Sequence, residues 1–217
     1  MASNQLYTGI DIGGTDIKAG LVTGEGEIVH AENISTNVTQ PWQTTLERIS
    51  ALVRSLEEKN HTKTIGVGMG LPGQVLAEKG FLRDAPNLPG WKNIEVGREL
   101  EKRLQRPVKI DNDANVAGLA EFGFGAGKGC TDLLMVTLGT GVGGGLILNG
   151  RIFHGAKGTA AEFGHMLIRE GGNTCSCGKQ GCVAAYVGTT KIIKRTRQKW
   201  ENGSHSQLGS ITKAELT

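Results

Sequence analysis

Aromatic residues make up only 5% of this 217-residue chain and proline contributes five residues. No apolar run approaches the roughly eighteen residues of a membrane-spanning helix, so the chain is expected to have no membrane partner. An excess of one charge is missing too. Lys and Arg number 24 against 21 Asp and Glu, a net charge of +3. That balance is too weak to point to nucleic acid or a lipid surface as partner. The opening residues, MASNQLYTGIDIGG, carry no basic region, long apolar stretch or cleavage site, so no signal peptide is expected. The Asn-x-Ser/Thr triplets at Asn33, Asn37, Asn60 and Asn202 then count as chance matches, and the expectation is a soluble cytoplasmic protein. What the chain does have is glycine, 34 residues or about 16%, roughly twice ordinary usage. These glycines follow no Gly-X-Y period and cluster in particular loops, which excludes collagen. The length suffices for one large domain or two small ones with a real core.

Four cysteines are present, and three of them fall in the octapeptide Cys175-Ser-Cys177-Gly-Lys-Gln-Gly-Cys182, with Cys130 alone. A disulfide framework spreads its cysteines along the chain. This clustering, in a chain read as cytosolic, points to metal binding instead.

Alternation and turn residues predict strands over residues 5–12, 18–23 and 27–31, joined by Gly13-Gly14-Thr15 and Gly24-Glu25-Gly26. Trp42, Leu46, Ile49, Val53 and Leu56 are spaced for an amphipathic helix, with Pro41 at its start. A strand over 64–69 runs into Gly70-Leu-Pro72-Gly73, a helix covers 94–104, and a strand over 107–110 meets Asp111-Asn112-Asp113 before a helix over 114–122. A second cycle then begins: strand 133–138, glycines 139–145, strand 146–148, the hairpin pair Asn149-Gly150, and strand 151–153. Strand, Gly/Thr turn, strand, turn, strand therefore occurs twice. This is expected to reflect an internal duplication, with chance recurrence of glycine hairpins as the alternative. Near the end, Thr212-Lys-Ala-Glu215 has the pattern of a helix capping box with two residues after it. It suggests a chain that stops short of a natural domain end, or else a polar tail. Polar residues from about Trp200 onward lack an apolar period, so poor order is expected there.

The loop from Asp11 to Lys18 combines the glycines Gly13 and Gly14, whose backbone can close on a phosphate, the Thr15 hydroxyl and the Lys18 charge. Asp11 at the strand end is placed to hold Mg²⁺ through water. An ordinary tight turn uses the same residue types, and both readings stand. Gly139, Thr140 and Gly141 are the counterpart in the second cycle. Gly139-x-Gly141-x-x-Gly144 formally matches a dinucleotide fingerprint, but a hairpin follows where a Rossmann loop must open a helix. Two Gly/Thr hairpins suggest a nucleotide clamped between two lobes. Asp113 lies where a strand gives way to a helix, a site for accepting the proton of an attacking hydroxyl, with Asn112 bonding a neighbouring one. The alternative is that Asp113 only caps the helix. His165 with Cys175, Cys177 and Cys182 makes one imidazole and three thiols, a set suited to a closed structural Zn²⁺ site, with reduced free thiols as the alternative. His30, His61, His154 and His205 have no such company and are read as incidental.

Five segments together resemble the ROK family: DIGGTDIK (Asp11 to Lys18), GLPG (Gly70 to Gly73), DNDAN (Asp111 to Asn115), LGTGVGGG (Leu138 to Gly145), and HGAKGTAAEFGH followed by CSCGKQGC (His154 to Cys182). The resemblance implies an α/β chain of the actin-like, ribonuclease H-like sugar-kinase fold. It would have an N-terminal lobe over 1–115 and an incomplete C-terminal lobe over 116–217. It implies a glucokinase-like activity, phosphorylation of a hexose or N-acylhexosamine with ATP and Mg²⁺, and often a homodimer. Carried over residue by residue, Asp113 is the catalytic base. Gly73, Asn87, Asn112, Glu162 and His165 contact the sugar. Gly13, Gly14, Thr15, Gly139, Thr140 and Gly141 hold phosphates and Asp11 serves Mg²⁺, while His165 also ligates zinc.

Two departures stand out. The family usually follows its last zinc cysteine with x-Glu, a carboxylate that grips the sugar, and here the position is Ala184. By the resemblance, the sequence is also expected to stop short of the segment that carries the adenosine-binding part in relatives. Both favour a second reading, a degenerate or sugar-sensing module without turnover. A third, a transcription regulator of the same family, is disfavoured because only ten residues precede Asp11, where regulators carry a winged helix.

Overall fold

The computed structural model describes residues 5–139 and 141–202. The capping-box pattern at Thr212–Glu215, His205 and Thr140 lie outside the described residues. By their contacts the residues fall into two compact units, Met1–Leu133 with Gly145–Ala160, and Leu134–Gly144 with Ala161–Thr217.

The chain opens as a meander of β1 (Leu6–Ile12), β2 (Asp16–Thr23) and β3 (Ile28–Ser35), followed by α1 (Trp42–Lys59) and β4 (Val67–Leu71). A small antiparallel sheet follows, β5 (Gln74–Leu76), β6 (Phe81–Asp84) and β7 (Lys92–Ile94). Then come α2 (Val96–Leu104), β8 (Val108–Asn112) and α3 (Asp113–Phe124). The main sheet has the order β3-β2-β1-β4-β8, with the first three strands antiparallel and β1, β4 and β8 parallel. Its core is built by alternation: Ile10 and Ile12 of β1, Ile17, Ala19 and Leu21 of β2, and Val108 and Ile110 of β8 all turn inward. The 3.6-residue period of α1 answers them. Leu46, Ile49, Val53 and Leu56 are each fully enclosed, and burial on that scale stabilises by roughly 1.5–3 kcal/mol per side chain. The helix ends at Asn60, whose side-chain amide donates to the Leu56 carbonyl at 2.8 Å.

A polar lock ties α1 to the entry of β8. Arg106 grips the Glu57 carboxylate with both terminal nitrogens, the longer contact being 3.1 Å. Glu57 also accepts from the Thr64 N–H at 2.7 Å and hydroxyl at 2.8 Å. Both charged side chains are 9% exposed. Burial works to raise the Glu57 pKa, but the Arg106 and Thr64 hydrogen bonds prevail and hold it below its ordinary value.

The second cycle consists of β9 (Leu133–Leu138), β10 (Val142–Leu148) and the two-residue β11 (Arg151–Ile152), in the order β11-β10-β9. It repeats the meander of β1 to β3, as the duplicated pattern led one to expect. β10 starts at Val142, four residues before the expected 146, because its glycines pair as strand rather than forming a loose loop. Among them Gly145 is required by proximity: a Cβ there would lie 2.9 Å from the Ala114 carbonyl and 3.2 Å from the Gly118 Cα, so β10 runs directly against the first turns of α3. The second unit continues through a 3-10 turn (Phe163–His165), the short α4 (Ala184–Val187) and α5 (Thr189–Glu201). Trp200 lies in the last turn of α5, and from residue 203 the stretch expected to be poorly ordered lies outside the described residues. No helix among the described residues is long and apolar enough to cross a membrane.

Candidate active site

Three strand ends place the acidic residues. Across β1, β4 and β8 the register sets Asp11 beside Gly70 and Gly70 beside Asp111. Gly70 lies between Asp11 and the head of α3: a Cβ there would sit at ordinary contact distances, 3.4 Å from the Asp113 Cα and 3.8 Å from an Asp11 oxygen. Asp11, Gly70 and the head of α3 therefore share one edge of the sheet, the carboxyl ends of parallel strands where α/β folds bind ligands.

The helix cap is Asn112, not Asp113. The Asn112 side chain accepts from the N–H groups of Ala114 at 3.0 Å and Asn115 at 3.3 Å, the N-cap arrangement. Its amide then donates to the Gly73 carbonyl at 3.1 Å. Asp113 is thus the first residue of the helix, with Oδ1 accepting from the Ala114 N–H at 2.9 Å. Its residue keeps accessible surface, yet its carboxyl is crowded enough that desolvation, the largest effect, raises its pKa. The Ala114 N–H works against that rise and the Asp11 charge adds to it.

Gly73 has φ of +93°, and a Cβ there would run into the Asp84 carbonyl and lie 2.8 Å from the Ala85 Cα. Only glycine fits. The contact sets the Gly73 loop against the start of the turn that carries Asn87, which is exposed. The first glycine loop is closed by Gly13 N–H donating to Asp16 at 2.9 Å, with Gly14, Thr15 and Lys18 exposed. Sequence reasoning missed its anchor, Thr36. Buried after β3, it donates from its hydroxyl to the Gly13 carbonyl at 2.7 Å and from its N–H to the Thr15 carbonyl at 2.7 Å. Lys18 faces Asp11 across the β1–β2 pair.

In the second unit, Gly139 and Gly141 form the turn between β9 and β10, and the Gly139 carbonyl accepts from both the N–H and the hydroxyl of Thr189, at 2.8 and 2.7 Å. Glu162 precedes the 3-10 turn and His165 ends it, with Glu162 Oε2 3.9 Å from His165 Nε2. The other imidazole nitrogen, Nδ1, lies 3.6 Å from Cys175 Sγ, and Cys177 and Cys182 sulfurs are 3.8 Å apart. All four candidate ligand atoms lie within 4.8 Å of one another. Tetrahedral zinc, with bonds of about 2.0–2.3 Å, separates its donors by roughly 3.5–3.8 Å, so this donor set fits the ion. Burial works to raise the Cys175 pKa, but hydrogen bonds from Cys177 and His165 bring it to about 6. Cys182 is pushed up to about 11 by burial and by the neighbouring thiols. Such a cluster shares its protons unevenly, which a cation would relieve. Cys182 leads into α4, whose first residue is Ala184.

One histidine set aside in the sequence proves to have a partner. His154 lies with Nε2 2.6 Å from Asp111 Oδ2. Its segment begins 43 residues after Asp111, and no local pattern pairs them.

A mixed five-stranded sheet with a glycine loop between its first strands, followed by a second meander with a like loop, is the actin-like, ribonuclease H-like α/β fold of sugar kinases. The chain belongs to the ROK family, which matches residues 7–215. It is 40% identical over 210 residues to a glucokinase of Halalkalibacterium halodurans, covering 95% of this chain and 63% of that one. It is 30% identical over 198 residues to a xylose repressor of Caldicellulosiruptor bescii, covering 90% of this chain and 49% of the repressor. Among solved structures it is similar to a ROK family glucokinase from Streptomyces griseus in complex with glucose and AMPPNP, with a TM-score of 0.78, 36% identity, and coverage of 91% and 62%. The chain spans 60% to 66% of the length of the curated glucokinases it matches.

Proposed function

We infer that this chain belongs to an ATP-dependent hexose kinase, glucokinase-like, in which Asp113 accepts the proton of the attacking sugar hydroxyl. The observation that carries the reading is the head of α3. Asn112 takes over the cap, leaving the Asp113 carboxylate at the edge of the sheet near Asp11, with Gly70 between them. A base of modest strength suffices, because in phosphoryl transfer the hydroxyl loses its proton late and orientation dominates. Asn112, Gly73, Asn87, Glu162 and His165 are assigned to the sugar. Gly13, Gly14, Thr15, Lys18, Gly139, Thr140 and Gly141 are assigned to the phosphates, and Asp11 to the Mg²⁺ that accompanies ATP. His165, Cys175, Cys177 and Cys182 would hold zinc, which supplies structure by closing the loop between Leu167 and Cys182. The proposed lobes are 1–115 and 116–217, and a homodimer is the proposed assembly.

The test is a coupled ADP-release assay with ATP, Mg²⁺ and a panel of hexoses, run on the chain and on Asp113→Asn, with zinc measured on the same preparation. Sugar-dependent turnover that disappears in Asp113→Asn supports the kinase. Turnover that survives the substitution removes Asp113 from its role. A second reading, a sugar-sensing module, is favoured by one observation, the methyl group of Ala184 at the start of α4. It requires saturable hexose binding by calorimetry without any ADP release.

A further inference from the structure

The Asp111–His154 pair is part of neither the phosphate loops nor the sugar contacts, yet Asp111 is bonded to residues on both sides of the candidate base along the chain, Asn112 and Asn115. The pair's 2.6 Å separation is that of a short hydrogen bond. The side chains are 23% exposed for His154 and 16% for Asp111, so water competes poorly for the contact. Asp111 uses its second oxygen as well. Oδ1 accepts from the Asn115 side-chain amide at 3.0 Å and from the Asn112 backbone N–H at 2.7 Å. Three donors from three places thus converge on one carboxylate: the segment after β11, the first turn of α3, and the link between β8 and α3. Asn115 is buried, so its amide has few other partners to choose. Asp111 is thus bonded to Asn112, which caps the helix and holds Gly73, and to Asn115, and Asp113 lies between those two contacts.

We propose that His154 is a positioning residue: by fixing Asp111, it sets the direction of the first turn of α3 and hence the place of Asn112 and Asp113. The catalytic consequence rests on the kinase reading above; the geometric one does not. An N–H donor is what the role needs, because Asp111 Oδ2 has His154 Nε2 as its partner. Without that donor the carboxylate keeps its bonds to the helix but is free to swing, and small displacements of reacting groups are costly in rate.

The experiment uses the full chain with His154→Phe, which keeps a planar ring and loses the donor, and His154→Gln, which returns an N–H at similar reach. Two readouts are taken: the titration midpoint of the Asp113 carboxyl by ¹³C NMR, and kcat and KM in the ADP-release assay. The expected result is a displaced Asp113 midpoint in His154→Phe, a kcat lower by about tenfold or more, KM for ATP within about twofold, and recovery of both in His154→Gln. A folded His154→Phe with the wild-type Asp113 midpoint overturns the proposal, as does a displaced midpoint that His154→Gln fails to restore. If the wild-type chain turns over no hexose, the kinase reading fails for this chain, while the NMR midpoint still decides the positioning role. If His154→Phe does not fold, His154→Ala with added imidazole replaces it. Restoration of the midpoint by imidazole is then the expected outcome, and its absence overturns the proposal.

Discussion

At the scale of single residues, Asp113 serves two opposed demands. Desolvation raises its pKa, which means that the fold favours the protonated carboxyl. The folded state then holds more protons than the unfolded chain between the two pKa values, so stability is lost as pH rises through the raised value. Above the raised value the ionised side chain carries that cost in full. Asp113→Asn is therefore expected to melt at a higher temperature than the wild type at pH 7, with the difference vanishing in acid, as checked by calorimetry across pH. The same substitution should lower sugar-dependent turnover by roughly 10²–10⁴-fold, the usual contribution of a positioned general base. Ala184 is the second residue at which function is open to change. A carboxylate restored there adds a charged acceptor worth about 1.5–3 kcal/mol, so Ala184→Glu should tighten hexose binding by about ten- to hundredfold in a calorimetric titration. Unchanged binding would remove position 184 from the sugar's surroundings.

At the scale of elements, the joint between α1 and the entry to β8 is held by charge as well as by apolar packing. Arg106 and Glu57 are both buried, with Thr64 completing the hydrogen bonds. Removing one partner strands a charge that the rest of the site cannot solvate. Arg106→Ala is expected to cost about 3–5 kcal/mol in urea denaturation, while Arg106→Met with Glu57→Leu should recover most of it. The pH response has a defined sign. The Glu57 pKa lies below its ordinary value of 4.5, so its contribution is complete above about that pH and is lost as pH falls through the lower, folded value. Acid unfolding of the wild type should accordingly be steeper than that of the apolar double variant.

At the scale of the whole molecule, the two compact units are stabilised differently. The first has a continuous core from Ile10 to Ile110, drawn from sheet and helices. The second, among the described residues, shows only the small cluster of Cys175, Cys182 and Ala185. A unit with so little apolar core is where a bound ion matters most. The protein is expected to carry about one zinc per chain. Chelation should increase amide exchange between Leu167 and Cys182 while leaving β1, β4 and β8 protected, as read by hydrogen–deuterium exchange. Uniform loss of protection would show that the cluster also supports the first unit. The outer face of β9 belongs to the same picture, with Leu134, Val136 and Leu138 at 54%, 48% and 64% exposed. Apolar side chains displayed in a row mark a surface that binds other apolar groups, so ANS fluorescence should rise on mixing with the native chain.

Much of this was determined by the sequence alone, because the deciding interactions are local. Alternation along residues 5–12, the 4-3-4-3 spacing from Trp42 to Leu56 and the paired glycine turns are set by neighbours a few residues away, and they reappear as β1, α1 and the two meanders. The grouping of His165 with the three cysteines was legible for the same reason. Only the tertiary structure decided what joins distant segments. The small sheet of β5 to β7 escaped notice because its strands are three or four residues long, too short to show a period. Asn112 displaced Asp113 as helix cap because β8 runs two residues further than its apolar stretch, to a point where Asn112 also meets Gly73. Thr36 reaches Gly13 across 23 residues, and His154 reaches Asp111 across 43. Local sequence cannot specify such partners, since a single histidine or threonine has the same chemistry everywhere. Packing of the sheet selects which carboxylate or carbonyl it meets.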